Sequence, residues 1–220
     1  TYIIGGEITN LGTNAKAGKS EFVVAEADES DGSFLQYHPW QGIVTNIEAD
    51  HLENYDGDFN RLKSAYVQFL SQIRPDGAAI VCADDQNIRE MLPQLQTRVI
   101  TYGVEHEADY MATDIQLGDR RLSFTMSRKG TALGTIELSV PGKHNMYNAM
   151  ATVISCLEAG IPFDQIAATI VEFHGAKRRF QVLGEGNDIL IIDDYAHHPT
   201  EIEATISAAR ATGKRIIAVF

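Results

Sequence analysis

Positive charge is the first shortage: 18 Lys and Arg stand against 30 Asp and Glu in 220 residues, a formal charge of -12. An acidic chain lacks the basic surface whose counterion release drives binding to nucleic acid or to anionic membrane, so neither is an expected partner. Cysteine is scarce too. The two present, Cys82 and Cys156, sit in apolar runs and read as reduced core residues rather than as a disulfide or metal pair. No apolar run reaches the ~18 residues of a membrane span and no secretory leader pattern is present, which makes the cytoplasm the default compartment. Ser30 lacks a G-x-S-x-G elbow, and no G-x-G-x-x-G fingerprint occurs, so neither serine hydrolysis nor NAD is supported. His197 and His198 are adjacent and have no Cys or His at zinc-ligand spacing, which argues against zinc. The chain also lacks an initiating methionine and stops within the apolar run 215–220, so a piece of a longer chain is expected.

What is present is a pair of apolar runs that end in acid. The run 42–47 leads into Glu48, Asp50 and His51, and the run 21–27 leads into Glu26, Asp28, Glu29 and Asp31. In an open α/β sheet ligands sit at the C-terminal ends of strands. Two neighbouring strand ends would deliver Glu26, Asp28, Asp50 and His51 to one crevice, an arrangement suited to a cation that handles phosphates.

The remaining pattern gives the fold class. Residues 1–20 are loop-rich with a short strand at 2–4. A helix capped by Asp58 carries Phe59, Leu62, Tyr66, Phe69 and Ile73 at spacings of three and four, and Arg74-Pro75-Asp76-Gly77 ends it. Strands at 78–83 and 98–103 flank a short helix at 85–92, and unbroken apolar strands alternating with helices indicate a mainly parallel, helix-covered sheet. From 109 to 141 strands follow one another without helices, an antiparallel extension with turns at Gly118-Asp119 and Lys129-Gly130. A helix from about 145 to 159 and another from 163 close this first domain, placed at 1–176. The second, 177–220, opens with a strand at 189–193, a turn of Asp194, Tyr195, Ala196, His197 and His198, a helix with Pro199 at its first position, and a strand at 215–220 that completes a βαβ unit.

Each candidate residue has a plain alternative. Glu26 reads as a divalent-cation ligand or as a solvated carboxylate; His51 as an outer-shell or phosphate contact or as a structural histidine. Thr45 and Asn46 suit a carbonyl or a sugar hydroxyl, or the backbone of their own turn. Lys143 and Arg179 are phosphate cations or surface charges, with the Arg179 fork better matched to two oxygens. Asn145 and Asn148, three apart near a helix start, either present amides to a purine edge or cap the helix and face solvent. Asp194 follows a strand where such domains place a carboxylate on ribose.

Five stretches together resemble the Mur ligase family: 25–31, 45–51, Pro141-Gly142-Lys143-His144-Asn145-Met146-Tyr147-Asn148, Lys177-Arg178-Arg179-Phe180, and 193–201. The resemblance implies the main part of a central ATPase domain followed by the start of a Rossmann-like domain. It implies ATP-dependent amide formation in peptidoglycan synthesis, with ATP and Mg2+ as cofactors and UDP-N-acetylmuramate and L-alanine as the best-matched substrates. Carried over by residue, Glu26 and His51 are the magnesium pair, Asn145 and Asn148 contact adenine, Arg179 reaches the phosphates, and Asp194 the ribose. Tyr195 and His197 line the place where phosphate and amino acid meet. The family's G-T-x-G-K-T-T loop has no equivalent here, since Gly12-Thr13-Asn14-Ala15-Lys16 has the wrong spacing. The 220 residues alone are therefore expected to be inactive. A carbamylated lysine on the helix after His51 is assigned neither to Lys63 nor elsewhere. Another amide ligase of the superfamily, acting on murein peptide or folylpolyglutamate, and a non-catalytic nucleotide-binding module are the alternatives.

Overall fold

The computed structural model describes residues 1–118 and 121–219. Its centre is a six-stranded sheet in the order β4-β5-β6-β7-β8-β9. The strands are β4 (Gln41–Val44), β5 (Ala78–Cys82), β6 (Val99–Gly103), β7 (Tyr110–Leu117), β8 (Leu122–Arg128) and β9 (Thr131–Leu138). Pairing is parallel from β4 to β7 and antiparallel from β7 to β9, so the expected parallel sheet and antiparallel extension form one continuous surface. The turn expected at Gly118-Asp119 falls partly outside the described residues.

Every residue of β5 is buried, as a strand covered on both faces requires. Helix α1 (Phe59–Ser71) opens at Asp58, whose carboxylate accepts the Asn60 N–H at 2.8 Å, and it buries Leu62, Ala65, Phe69 and Leu70. Phe34 packs its ring against Tyr66 and Phe69. Helix α2 (Gln86–Met91) is capped by Asp85. Helices α3 (Lys143–Glu158) and α4 (Phe163–Ile170) follow the ribbon, and α3 buries Met146, Met150, Val153 and Ile154 in the same core. Cys82 and Cys156 are free thiols, both pushed above the ordinary thiol range by burial.

Three expectations change. Residues 1–20 are more ordered than their glycines suggest: β1 (Tyr2–Ile8) and β2 (Thr13–Lys16) form an antiparallel pair whose backbone ladder, not side-chain pattern, supplies the order. The strand expected over 21–27 reduces to β3 (Val24–Ala25), which pairs in parallel with β1 rather than joining β4. The two acid-tipped strands therefore belong to different sheets, because the ladder partner of β3 comes from the chain start. At the far end, β10 (Gln181–Gly186) and β11 (Ile189–Asp193) form a hairpin followed by α5 (Pro199–Arg210). The strand expected at 215–220 is not formed over 215–219, and Phe220 lies outside the described residues. With Ile217 73% and Val219 91% exposed, too little apolar area is buried there to offset the entropy of ordering a strand.

Candidate active site

The C-terminal end of β4 holds the acidic loop in place through α2. The Ile47 side chain is buried, its carbonyl accepts the Asn87 side-chain amide at 2.8 Å, and its N–H approaches Asp85 at 3.4 Å. Thr45 donates its hydroxyl to the Asn46 side chain at 2.9 Å. His51 then adopts a left-handed backbone conformation, φ 52°, at the start of a 3-10 turn (Leu52–Tyr55). Its N–H donates to Asp50 at 2.8 Å, and its ring lies 3.8 Å from Asp50 and 3.7 Å from Glu53.

Although β3 and β4 sit in separate sheets, the loops that follow them are joined. Tyr55 donates its hydroxyl to the Glu29 carbonyl at 2.5 Å and Asn54 its amide to the Ser30 carbonyl at 2.6 Å. Within the first loop, Asp28 accepts the Ser30 N–H and Asp31 the Ser33 N–H, each at 2.8 Å; the Ser33 hydroxyl and N–H hold the Asp31 carboxyl below its usual range. Glu26 lies apart from these contacts, its carboxylate taken by the Gly5 N–H. Gly5 and Gly6 lie within β1, so it is this strand that faces the acid. Among the described residues no three His, Cys, Asp or Glu side chains are grouped as a metal cage.

The small sheet is tied to the junction between the two parts. Thr9 N–H donates to the Gly175 carbonyl at 3.0 Å, Lys177 N–H to the Glu7 carbonyl at 2.9 Å, and the Lys177 ammonium pairs with Glu7 at 2.7 Å. Two residues on, Arg179 extends toward Glu201 at 3.4 Å, and its guanidinium lies 5.9 Å from the Tyr195 ring. Arg178 stacks closer on the same ring, at 4.5 Å. Asp194 accepts the Phe180 N–H at 2.7 Å and the Ala196 N–H at 2.8 Å, so its carboxylate shapes the turn that presents Tyr195 and His197. The His197 ring lies 2.9 Å from the Tyr195 carbonyl and 3.5 Å from Glu201.

Glu201 lies in the first turn of α5. It accepts the His197 N–H at 3.1 Å and the His198 N–H at 3.4 Å, and it also faces Arg179. Burial works to raise its pKa, but these donors and the guanidinium outweigh it and hold the carboxyl below its usual range. Asp84 was missed altogether. At the end of β5 its carboxylate accepts the N–H groups of Val104, Glu105 and His106 and the Tyr147 hydroxyl, the last at 2.8 Å. An isolated Asp-Asp pair in sequence does not reveal which member caps the helix and which gathers a distant loop.

The start of α3 lies beside this cluster. Asn145 donates its amide to the Pro141 carbonyl at 2.6 Å, Asn148 is exposed, and Lys143 pairs with Glu105 at 2.7 Å. Gly142 permits close packing there: with φ 98°, a Cβ at that position would lie 2.6 Å from the His144 ring and 3.5 Å from the Ala208 methyl of α5. Lys63 on α1 pairs with Glu90 at 3.4 Å, whereas Tyr66 packs partly buried against the core, where burial and then the nearby charges of Glu29 and Asp28 push its hydroxyl above the ordinary range. A polar cavity of about 610 Å³ is lined by residues that precede β5 and β6, including Pro75, Thr97 and Arg98, at the opposite end of the sheet.

Loops gathered at the C-terminal ends of parallel strands, with a second small α/β part packed against them, define an α/β protein of the strand-end ligand-binding class. More narrowly, the chain belongs to the Mur ligase family: residues 7–156 match the Mur ligase middle domain and 178–220 the Mur ligase glutamate ligase domain. It is 45% identical to the UDP-N-acetylmuramate–L-alanine ligase of Syntrophotalea carbinolica over 100% of its own length and 48% of that protein. The ligase of the same name from Carboxydothermus hydrogenoformans is 48% identical over 98% of this chain and 46% of its own. The crystal structure of the UDP-N-acetylmuramate–alanine ligase of Thermotoga maritima superposes with a TM-score of 0.80 at 28% identity, covering 94% of this chain and 46% of that one. The chain thus spans about half the length of the curated relatives it matches.

Proposed function

We propose that the full-length protein containing this chain joins L-alanine to UDP-N-acetylmuramate at the expense of ATP. The observation that supports this most is collinear identity of 45–48% to ligases of that name across essentially the whole chain. The reaction transfers the γ-phosphoryl of ATP to the muramate carboxylate, releasing ADP. The amine of L-alanine attacks the acyl carbon of the mixed anhydride, phosphate leaves with the C–O electron pair, and the ammonium proton is lost to a base. The physical demands are neutralised phosphate charge and exclusion of water from the activated acyl group.

In this reading, residues 1–176 are the central domain and 177–220 the start of the next. Arg179 supplies a fork for phosphate oxygens, Asp194 accepts from ribose hydroxyls, and Asn145 and Asn148 present amides to adenine. Tyr195 and His197 line the meeting place of phosphate and incoming amine. Glu26 and His51 are the magnesium pair. A hydrated ion held largely by substrate phosphates needs only one or two protein groups, of which Glu26 would be the carboxylate, with the softer His51 in the outer shell. When bound, magnesium offsets phosphate charge.

The test is phosphate release by the full-length protein with UDP-N-acetylmuramate, ATP and either L-alanine, glycine or L-serine. L-Alanine should give the highest kcat/KM. Turnover that is equal for all three amines, or that needs a murein peptide instead, overturns the substrate assignment.

A further inference from the structure

Adjacent histidines in 197–198 divide their contacts. The His197 ring turns back onto its own turn, toward Tyr195 and Glu201, whereas the His198 ring reaches out of that part of the molecule. Its Nδ1 lies 3.3 Å from Glu48 Oε2, with the two side chains only 28% and 32% exposed. Glu48 belongs to the loop after β4, two residues before Asp50 and three before His51. His198 is the residue that starts α5, and Glu201 holds its N–H at 3.4 Å. One contact therefore joins the acidic loop of the large sheet to the turn that carries Tyr195 and His197.

A second contact a short way along α5 keeps the same two parts in register: Ala208 is buried, beside the Gly142 position at the start of α3. A helix held at its first turn and again near its end against one surface has little freedom to rotate. We infer that Glu48 and His198 are positioning residues, which fix the Arg179, Tyr195 and His197 cluster relative to the β4 loop and so set the approach of the two halves of the site. This rests on the ligase reading above.

Full-length protein carrying Glu48→Gln, His198→Asn, or both provides the test. Asn keeps a residue suited to a helix start, so the helix itself is preserved. Glu203→Gln, exposed on the same helix, is the control. Two readouts are taken: kcat and KM for L-alanine and ATP, and amide hydrogen exchange over 202–205, which begins at the Ile202 N–H bonded to the His198 carbonyl and reports local opening of the helix start. Each single variant should lower kcat about three- to tenfold with an unchanged thermal midpoint, and should speed exchange over 202–205; the double variant should be no worse than the poorer single one. The control should change neither. Losses that multiply in the double variant, or unchanged exchange in all variants, overturn the pairing. Faster exchange with unchanged kcat overturns the positioning role. If wild-type protein shows no L-alanine-dependent turnover, the ligase reading falls, and exchange alone still decides whether Glu48 and His198 join the two parts.

Discussion

Asp84 gathers a backbone loop and a helix onto the tip of a strand. Its side chain is 9% exposed, and its burial opposes ionisation. The N–H groups of Val104 and His106, the Tyr147 hydroxyl and the Glu105 N–H more than compensate, so the carboxyl lies below its usual 3.8. A folded-state pKa below the unfolded one gives stability that is present above the unfolded value and is lost as pH falls through the folded value. Asp84→Asn should cost about 1–3 kcal/mol at pH 7, since an amide cannot accept from so many donors without turning an N–H toward another. In urea denaturation the gap between wild type and variant should shrink as pH is lowered below 3.8, and an undiminished gap at pH 3 would contradict the ionic origin.

Elements depend on close approaches that composition does not announce. The strands β6 and β7 are parallel yet separated by only the residues 104–109, where parallel strands ordinarily need a crossover of a dozen or more. Pairing is confined to Tyr102 with Tyr110 and Gly103 with Met111. Asp84 holds one side of the return, and Asp109, accepting the Thr101 N–H at 3.0 Å, holds the other. Gly77 plays a comparable part before β5. The turn after α1 brings it against β4, and a Cβ there would lie 1.8 Å from the Trp40 carbonyl oxygen, which also accepts the Ala78 N–H at 3.1 Å. Gly77→Ala must displace backbone and weaken β4–β5 pairing, so a loss of about 3 kcal/mol is expected in chemical denaturation. The same substitution at Gly57, which has open space around it but a φ of 73°, tests conformation alone and should cost about 1 kcal/mol.

At the scale of the whole molecule, the proposed nucleotide contacts come from both sides of the junction. Asn148 lies on α3, and Arg179 follows the segment that pairs with β1. In the full-length protein Arg179→Ala should raise the ATP KM about tenfold, because a charge-assisted fork is lost, and Asn148→Ala by a few-fold through loss of a neutral hydrogen bond. Steady-state kinetics at varied ATP checks both. An unchanged ATP KM in each would remove these residues from the nucleotide site.

The sequence by itself determined the α/β class, the helix stripes, the Asp58 start of α1 and the family. These rest on local periodicity, capping chemistry and ordered motifs, all of which are encoded within a few residues of one another. Tertiary structure decided that β3 pairs with β1, that Asp84 gathers the 104–106 loop, and that His198 meets Glu48. Each of those is a choice among distant partners of similar chemistry: an unpaired strand edge, a carboxylate or an imidazole accepts many, and only the packed geometry selects one.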